Sequence, residues 1–289
     1  VTDRLLRRRK RTPPGPAAPW IAADLDLVHE GSNRPRLTWI GHASFLGTLG
    51  GASFVIDPVF SGRIGGVFRR YCPAGLQPSQ LPEIRAVLIT HNHYDHLDGV
   101  AIRSLEPTVP VVVPDGLGRW VTRRRRPVVE LDWWQTETVG PLDITLVPAR
   151  HWSRRWLNDT NHSWWGGYVV RSGDHAVYHA GDTGWFDGFG EIADRCGPLD
   201  AAMLPIGGYD PGWFMEHHHL NPEQAGRAFL ELGAGIMVPM HWGSFRLTDE
   251  PLSEPHARFL EWWAGNPNVV EGRLADLAVG GTVSWGGHP

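Results

Sequence analysis

The sequence predicts an α/β protein whose β-rich halves are punctuated by helices. Three observations carry that expectation. Short β-branched runs bounded by Gly and Pro recur, among them "AVLIT", "PVVVP" and "GIMVPM". Stretches with helix-capping signals lie between them. Polar clusters follow the strand ends: His91 after "AVLIT", His151 after "ITLVPA", Asp182 after "AVYHAG" and His241 after "IMVPM". Side chains converging at the ends of core strands are how a sheet-based fold builds a site.

Taken in order, residues 1–35 read as a flexible basic and Pro-rich tail, from "RLLRRRKR" through "TPPGPAAP". Strands are expected near 36–41, 43–48 and 52–57, with Gly50 and Gly51 turning the chain between the last two. "SGRIGGVFRRYCPAG" reads as loop, 84–90 as a buried strand and "GVAIRSLE" as the start of a helix. "PVVVP" is another strand and "GLGRWVTRR" a short helix. A meander follows over "VVELDWWQTETV" and "LDITLVPAR", then a hairpin over "WWGGYVVRSG" and "HAVYHAGDTG". "AAMLPIG" and "GIMVPMHWG" read as strands around the helix "NPEQAGRAFLELG", capped by Asn221 with Pro222 at its first position. "SEPHARFLEWWAG" is a helix, and strand character closes the chain in "LADLAVGGTVSW".

With 289 residues and 42% hydrophobic content the chain can bury a sizeable core. A net charge of -4 gives no general pull toward nucleic acid, and no nucleic-acid partner is expected. The basic runs Arg4 to Arg11 and Arg123 to Arg126 read as solvated faces, with attraction to lipid headgroups or an anionic substrate as the alternative. Cys72 and Cys196 form no CxxC pair, so neither a disulfide framework nor a thiolate zinc knuckle is expected. A reducing, cytoplasmic setting fits, with peripheral contact at the inner face of the membrane an open option; no apolar leader or membrane span is read. The chain carries 15 tryptophans, several of them clustered, and "SWWGG" and "YDPGWFM" are expected to wall a cleft.

The stretch "HNHYDHLD" sets three histidines and two aspartates within His91 to Asp98. In a tight loop, His91 and His93 can reach one ion, while Asp95 and His96 suit a second beside it. Two such cations clamp the attacking and leaving oxygens of a displacement. Imidazole and carboxylate ligands without thiolate suit zinc, manganese or iron. One loop cannot complete two sites. His151, Asp182 and His241 are the candidates to do so, with Asp182 in a Gly-bounded turn where its carboxylate can bridge. His42, His175 and His179 fall in or beside strands and are discounted as ligands, although a hydrogen-bonding role suits His42. Asp98 is expected to accept the spare N–H of a ligand histidine or, equally, to serve as a helix N-terminal carboxylate.

H-x-H-x-D-H, a lone His, G-D-T-G and a late His resemble the metallo-β-lactamase superfamily in order and spacing from about residue 36 onward. The resemblance implies one hydrolase domain over 36–289: a four-layer αβ/βα sandwich with a dinuclear, usually zinc, site at one edge of the sheets. By motif it assigns His91, His93 and His151 to one metal, Asp95, His96 and His241 to the other, and Asp182 to both. "RHWSRRWLNDTNHSWWGGYVV", "HAGDTGWF" and "PIGGYDPGWFMEHHHLNPEQA" are similar to the N-acyl-phosphatidylethanolamine-hydrolysing phospholipase D group. That likeness implies a phosphodiester substrate, small or phospholipid, and brings His219 to the phosphate. It leaves His217 and His218 without a role. The expected mechanism is attack on phosphorus by a hydroxide held between two divalent ions, with Asp182 orienting it. Alternatives are a lactonase or β-lactamase-like carbonyl hydrolase, a metal-dependent nuclease, and a non-catalytic binding module.

Overall fold

Gly50 and Gly51 turn the chain between Leu49 and Ala52 into a hairpin, both at positive φ (54° and 74°), backbone that a side chain would strain. The computed structural model describes residues 13–122, 126–269 and 273–286. The hairpin belongs to a seven-stranded mixed sheet in the order β15-β1-β2-β3-β6-β7-β8. Its members are β1 (Arg36–Gly41), β2 (Ser44–Leu49), β3 (Ala52–Ile56), β6 (Ile84–Leu88), β7 (Val111–Pro114), β8 (Val128–Leu131) and β15 (Thr282–Ser284). A six-stranded sheet runs β14-β13-β12-β11-β10-β9. It comprises β9 (Thr136–Val139), β10 (Leu142–Val147), β11 (Gly167–Ser172), β12 (His175–His179), β13 (Ala201–Pro205) and β14 (Ile236–Met240). The expected loop after residue 60 contains a further small hairpin, β4 (Arg63–Ile64) with β5 (Phe68–Arg69).

Alternation along each strand divides the apolar residues into layers. Trp39, Phe45, Phe54, Ile56 and Leu88 of the first sheet join Ile144, Leu146, Tyr168 and Val170 of the second in one buried cluster. Their strand neighbours Ile40, Leu46, Val55, Val87 and Val113 face the other way and pack with Ile102 of α2 (Gly99–Ser104). Outside the second sheet lie α3 (Gly188–Cys196), α5 (Pro222–Leu232) and α6 (Glu254–Gly265), with Phe189 and Phe229 in the central cluster. Gly226 of α5 sits where any Cβ would collide with the Trp262 ring of α6, so the glycine sets how closely those helices approach. Helices on the outer face of each of the two sheets give the αβ/βα sandwich that the resemblance implied. The α3 segment carried no helical expectation, because Gly188 and Gly190 in "GFGEIADRC" weaken its propensity.

Residues 1–12, with the whole of the first basic run, and Arg123 to Arg125 lie outside the described residues. The rest of the expected tail is docked. Ala18 N–H donates to Gly243 O at 3.1 Å, Leu252 N–H to Pro14 O at 2.7 Å, and Trp20 bridges Val279. Asp24 then caps the short helix α1 (Leu25–Val28) by accepting from Leu27 N–H. Arg126 is no solvated cation: its buried guanidinium donates to the carbonyls of Ile102, Leu105 and Val109 and ties down the end of α2. Among the described residues no helix is long and apolar enough to cross a membrane.

Candidate metal centre

The chain leaves β6 at Leu88 and passes through Ile89 to Thr90, where the His-rich loop starts. Thr90 donates its N–H and hydroxyl to Asp57 at 2.8 and 2.7 Å, pinning the loop to the end of β3. Leu97 N–H donates to His93 O, and the Arg155 guanidinium donates to Asn92 O and Leu97 O, both at 2.9 Å. The loop is therefore closed on itself and clamped from outside. Asp182 arrives from the end of β12, His151 from the end of β10, and His241 from the end of β14 at φ 62°. His219 arrives from the turn between α4 (Gly212–Met215) and α5. Gly208 leaves room for its ring: a Cβ there would lie 2.9 Å from His219 Nδ1.

All seven sequence-expected ligands meet. His91 Nε2 lies 2.9 Å from His93 Nδ1, which lies 3.2 Å from His151 Nε2. Nitrogens bound tetrahedrally to one zinc stand about 3.3 Å apart, given bonds of about 2.0–2.1 Å. Asp182 Oδ2 lies 3.9 Å from both His91 Nε2 and His151 Nε2. The same carboxylate reaches the other group, with Oδ2 3.3 Å from His96 Nε2 and Oδ1 3.1 Å from His241 Nε2. Asp95 Oδ2 completes that group at 3.7 Å from His96 Nε2 and 3.6 Å from His241 Nε2. His91, His93, His151 and Asp182 can hold one metal ion, and Asp95, His96 and His241, with His42 beside them, can hold another; Asp182 faces both. His219 Nδ1 sits 3.9 Å from Asp182 Oδ2.

The ring tautomers are set from behind. Thr90 Oγ spends its proton on Asp57 and so accepts from His91 Nδ1 at 3.0 Å. His96 Nδ1 donates to Asp57 at 2.6 Å, and His151 Nδ1 donates to His218 O at 2.9 Å. In all three rings the proton is held at Nδ1, and Nε2 faces the cluster as a ligand atom. Asp57 thus does the work that Asp98 was expected to do. Asp98 instead caps α2 by accepting from Val100 N–H at 2.8 Å and binds the Ser61 hydroxyl at 2.5 Å. It lies past the loop's closing turn and makes no bond to a ligand histidine. His42, discounted as a ligand but given a hydrogen-bonding role, occupies the turn between β1 and β2 and bonds Asp95 Oδ2 at 2.9 Å through Nε2.

Burial, then the neighbouring imidazoles, hold His91 well below the ordinary histidine value. Burial pushes His151 well down too, against the pull of Asp182, and lowers His93 and His219 to about 4. Burial and His241 lower His42 to about 3. These rings are neutral at pH 7, the form that binds metal. Burial opposes charge on His241 and His96 as well, but the carboxylates together outweigh it, Asp182 and Asp95 lifting His241 to about 9, and Asp182, Asp57 and Asp95 lifting His96 well above its ordinary value. Burial pushes Asp95 and Asp182 upward, but the histidines around them win and hold both well below the usual carboxylate range. His96 Nε2, His241 Nε2, Asp182 Oδ1 and His219 Nδ1 are buried with no hydrogen-bond partner. Unpaired buried polar atoms are costly. Cations that displace the protons of His96 and His241 and sit among these nitrogens and the ionised oxygens satisfy them, so the residues fit the metal pair.

A cavity of about 200 Å³ opens beside the cluster, with Trp152, Phe214, Met215, Phe245, Leu247 and Leu252 in its wall. Of the expected aromatic wall, Phe214 takes part. Trp164 and Trp165 pack against Trp133 instead, held there by Trp164 N–H on Asp115 O and by Trp165 Nε1 on Ala149 O.

A family model described as a beta-lactamase superfamily domain matches residues 53–242. The chain is 35% identical over 262 residues to N-acyl-phosphatidylethanolamine-hydrolyzing phospholipase D 1 of Caenorhabditis elegans, covering 84% of this chain and 74% of that protein. It is 38% identical to an uncharacterized protein of Mycobacterium tuberculosis, over 85% of this chain and 68% of the other. An isothiocyanate hydrolase from Delia radicum gut bacteria superposes with a TM-score of 0.68 over 86% of this chain and 99% of its own, at 21% identity, a likeness of fold. With the sandwich, the His and Asp groups at its edge and these relatives in hand, the chain belongs to the metallo-β-lactamase superfamily and is a metal-dependent hydrolase with a binuclear-type site.

Proposed function

We propose that the protein hydrolyses a phosphodiester that carries an apolar group, of the N-acyl-phosphatidylethanolamine type. The observation that carries the proposal is the pair of His and Asp groups sharing Asp182 at the foot of a cavity with an apolar wall. In this reading His91, His93 and His151 hold one cation, Asp95, His96 and His241 the other, and Asp182 both. A divalent pair held there supplies a water of lowered pKa and neutralises charge on phosphoryl oxygens. Zinc suits the ligand set best, with manganese or iron also compatible. The chain does the rest. Asp182 keeps the two groups in register. His219, neutral at pH 7 with an unpaired Nδ1, faces the space beside Asp182 and hydrogen-bonds the substrate phosphate. Water oxygen bonds to phosphorus, the phosphorus–oxygen ester bond breaks, and the leaving alkoxide takes up a proton.

The rim favours a lipid over a small soluble diester. Leu157 (85% exposed), Trp213 (76%), Val67 (73%) and Trp156 (61%) leave large apolar side chains in solvent. Their loops lie near the cluster: the Tyr94 hydroxyl, beside His93, binds Arg155 O, Tyr94 also lies against Gly65 of the small hairpin, and Phe214 lines the cavity. Exposed Arg63, Arg69 and Arg154 stand among them with no carboxylate in ion-pair range among the described residues. Apolar side chains alternating with arginine suit the boundary layer of an anionic lipid surface.

The test is parallel turnover of diacyl N-acyl-phosphatidylethanolamine in vesicles, a soluble chromogenic phosphodiester, a cephalosporin and an acyl-homoserine lactone, with metal content measured. Turnover of the lipid well above the others supports the proposal. Efficient opening of the lactone or the cephalosporin, with neither phosphodiester cleaved, replaces it with carbonyl hydrolysis on the same fold.

A further inference from the structure

His42 is held on every side. It adopts the left-handed conformation (φ 56°), which a β-hairpin turn can demand and a histidine seldom takes. Its N–H donates to Ser244 Oγ at 2.9 Å. Its carbonyl accepts from Trp39 Nε1 at 2.8 Å and from His241 N–H at 3.1 Å. Trp39 belongs to the first sheet, while Ser244 and His241 follow the last strand of the second, so this residue ties the two sheets together at the site. The ring then lies 4.0 Å from that of His241, centroid to centroid, and Nε2 reaches Asp95 Oδ2 at 2.9 Å. That oxygen is the Asp95 atom nearest His96 and His241. Nδ1 is buried and unpaired, so a neutral ring whose single proton sits on Nε2 donates to Asp95 and leaves only a bare acceptor behind.

We infer that His42 is a positioning residue for one half of the centre: it fixes the Asp95 carboxylate in the arrangement that receives the second cation. The group formed by His91, His93 and His151 has no bond to His42 and does not depend on it. The inference rests on the two-cation reading above. A carboxylate on a loop has free rotation about two bonds, and the hydrogen bond from His42 removes that freedom before the cation arrives. Outer hydrogen bonds of this kind typically carry about 10- to 100-fold in metal affinity.

The experiment is zinc titration of the chelator-treated protein against a chromophoric competitor, for wild type, His42→Ala, His42→Gln, Asp95→Asn and the double variant His42→Ala/Asp95→Asn. Far-ultraviolet circular dichroism of each metal-free form confirms folding. Wild type is expected to bind two equivalents; failure to do so refutes the two-cation reading itself. His42→Ala is expected to weaken one equivalent by about 10- to 100-fold and spare the other. His42→Gln, whose amide can donate to the same oxygen, is expected to recover most of the loss. In the Asp95→Asn background His42→Ala is expected to add nothing, since the two side chains act as one unit. Undiminished binding of both equivalents by His42→Ala overturns the inference, and so does equal weakening of both. A further loss in the double variant, or no recovery with Gln, makes the imidazole itself a ligand and also overturns it.

Discussion

Asp182→Asn keeps the shape of the side chain and removes its charge, so it isolates what the carboxylate does electrostatically. In the metal-free protein Asp182 lies 3.3 Å from His96 Nε2 and 3.1 Å from His241 Nε2. At an effective dielectric of 20, unit charges so spaced attract by about 5 kcal/mol, an upper bound on what the variant removes from each imidazolium. Each loss of 1.36 kcal/mol lowers the histidine pKa by about one unit. His241, raised to about 9 in the wild type, is therefore expected to titrate below neutrality in the variant. The amide also removes the one negative side chain that faces both ligand groups. Metal content after gel filtration is expected to fall from two equivalents to one or none, and turnover by at least about 10³-fold, or roughly 4 kcal/mol. Plasma emission spectroscopy and a steady-state assay measure the two quantities. Two retained equivalents with unimpaired turnover would refute the shared-carboxylate reasoning.

Three further outcomes are expected. His219→Ala keeps both metals and slows turnover by about 10²–10⁴-fold, as removal of a hydrogen-bonding or proton-handling group does; loss of metal would make it a ligand instead. Asp57→Ala leaves the Thr90 N–H, the Thr90 hydroxyl and His96 Nδ1 without their buried acceptor. It is expected to lower the unfolding free energy by about 3–5 kcal/mol in denaturant titrations, and a change below about 1 kcal/mol would contradict its role as the anchor of the loop. The metal-free protein should lose stability on both sides of neutrality. His241 is raised from 6.5 to about 9, so its contribution is whole below 6.5 and disappears as pH climbs through 9. His93 and His219 are lowered from 6.5 to about 4, so theirs is whole above 6.5 and disappears as pH falls through 4. Thermal denaturation across that range checks it, and a midpoint independent of pH would contradict the assignment.

The ligand set was legible because its chemistry is dense and its placement regular: His91 to His96 crowd one loop, and His151, Asp182 and His241 each follow an apolar strand. What supports those ligands was less legible. Asp57 is a lone carboxylate before Pro58 at the end of β3, and its only sign is that position. Nothing in the local sequence says that Thr90 and His96, more than 30 residues on, will bond to it. A hydrogen-bonding role for His42 was legible from its place beside two strands, but its partner Asp95, 53 residues on, was not. Asp98 carries both a loop signal and a capping signal, and the capping geometry prevailed because helix α2 starts at Gly99. The packing of residues 13–35 depends on distant partners such as Gly243 and Val279, which Pro-rich composition does not reveal.

The central claim is that two cations share Asp182. Anomalous diffraction from a crystal grown with zinc, collected above and below the zinc edge, tests it most directly. Two peaks are expected, one among His91, His93 and His151 and one among Asp95, His96 and His241, with an Asp182 oxygen bound to each. A single peak, or two peaks of which one makes no contact with Asp182, would contradict it.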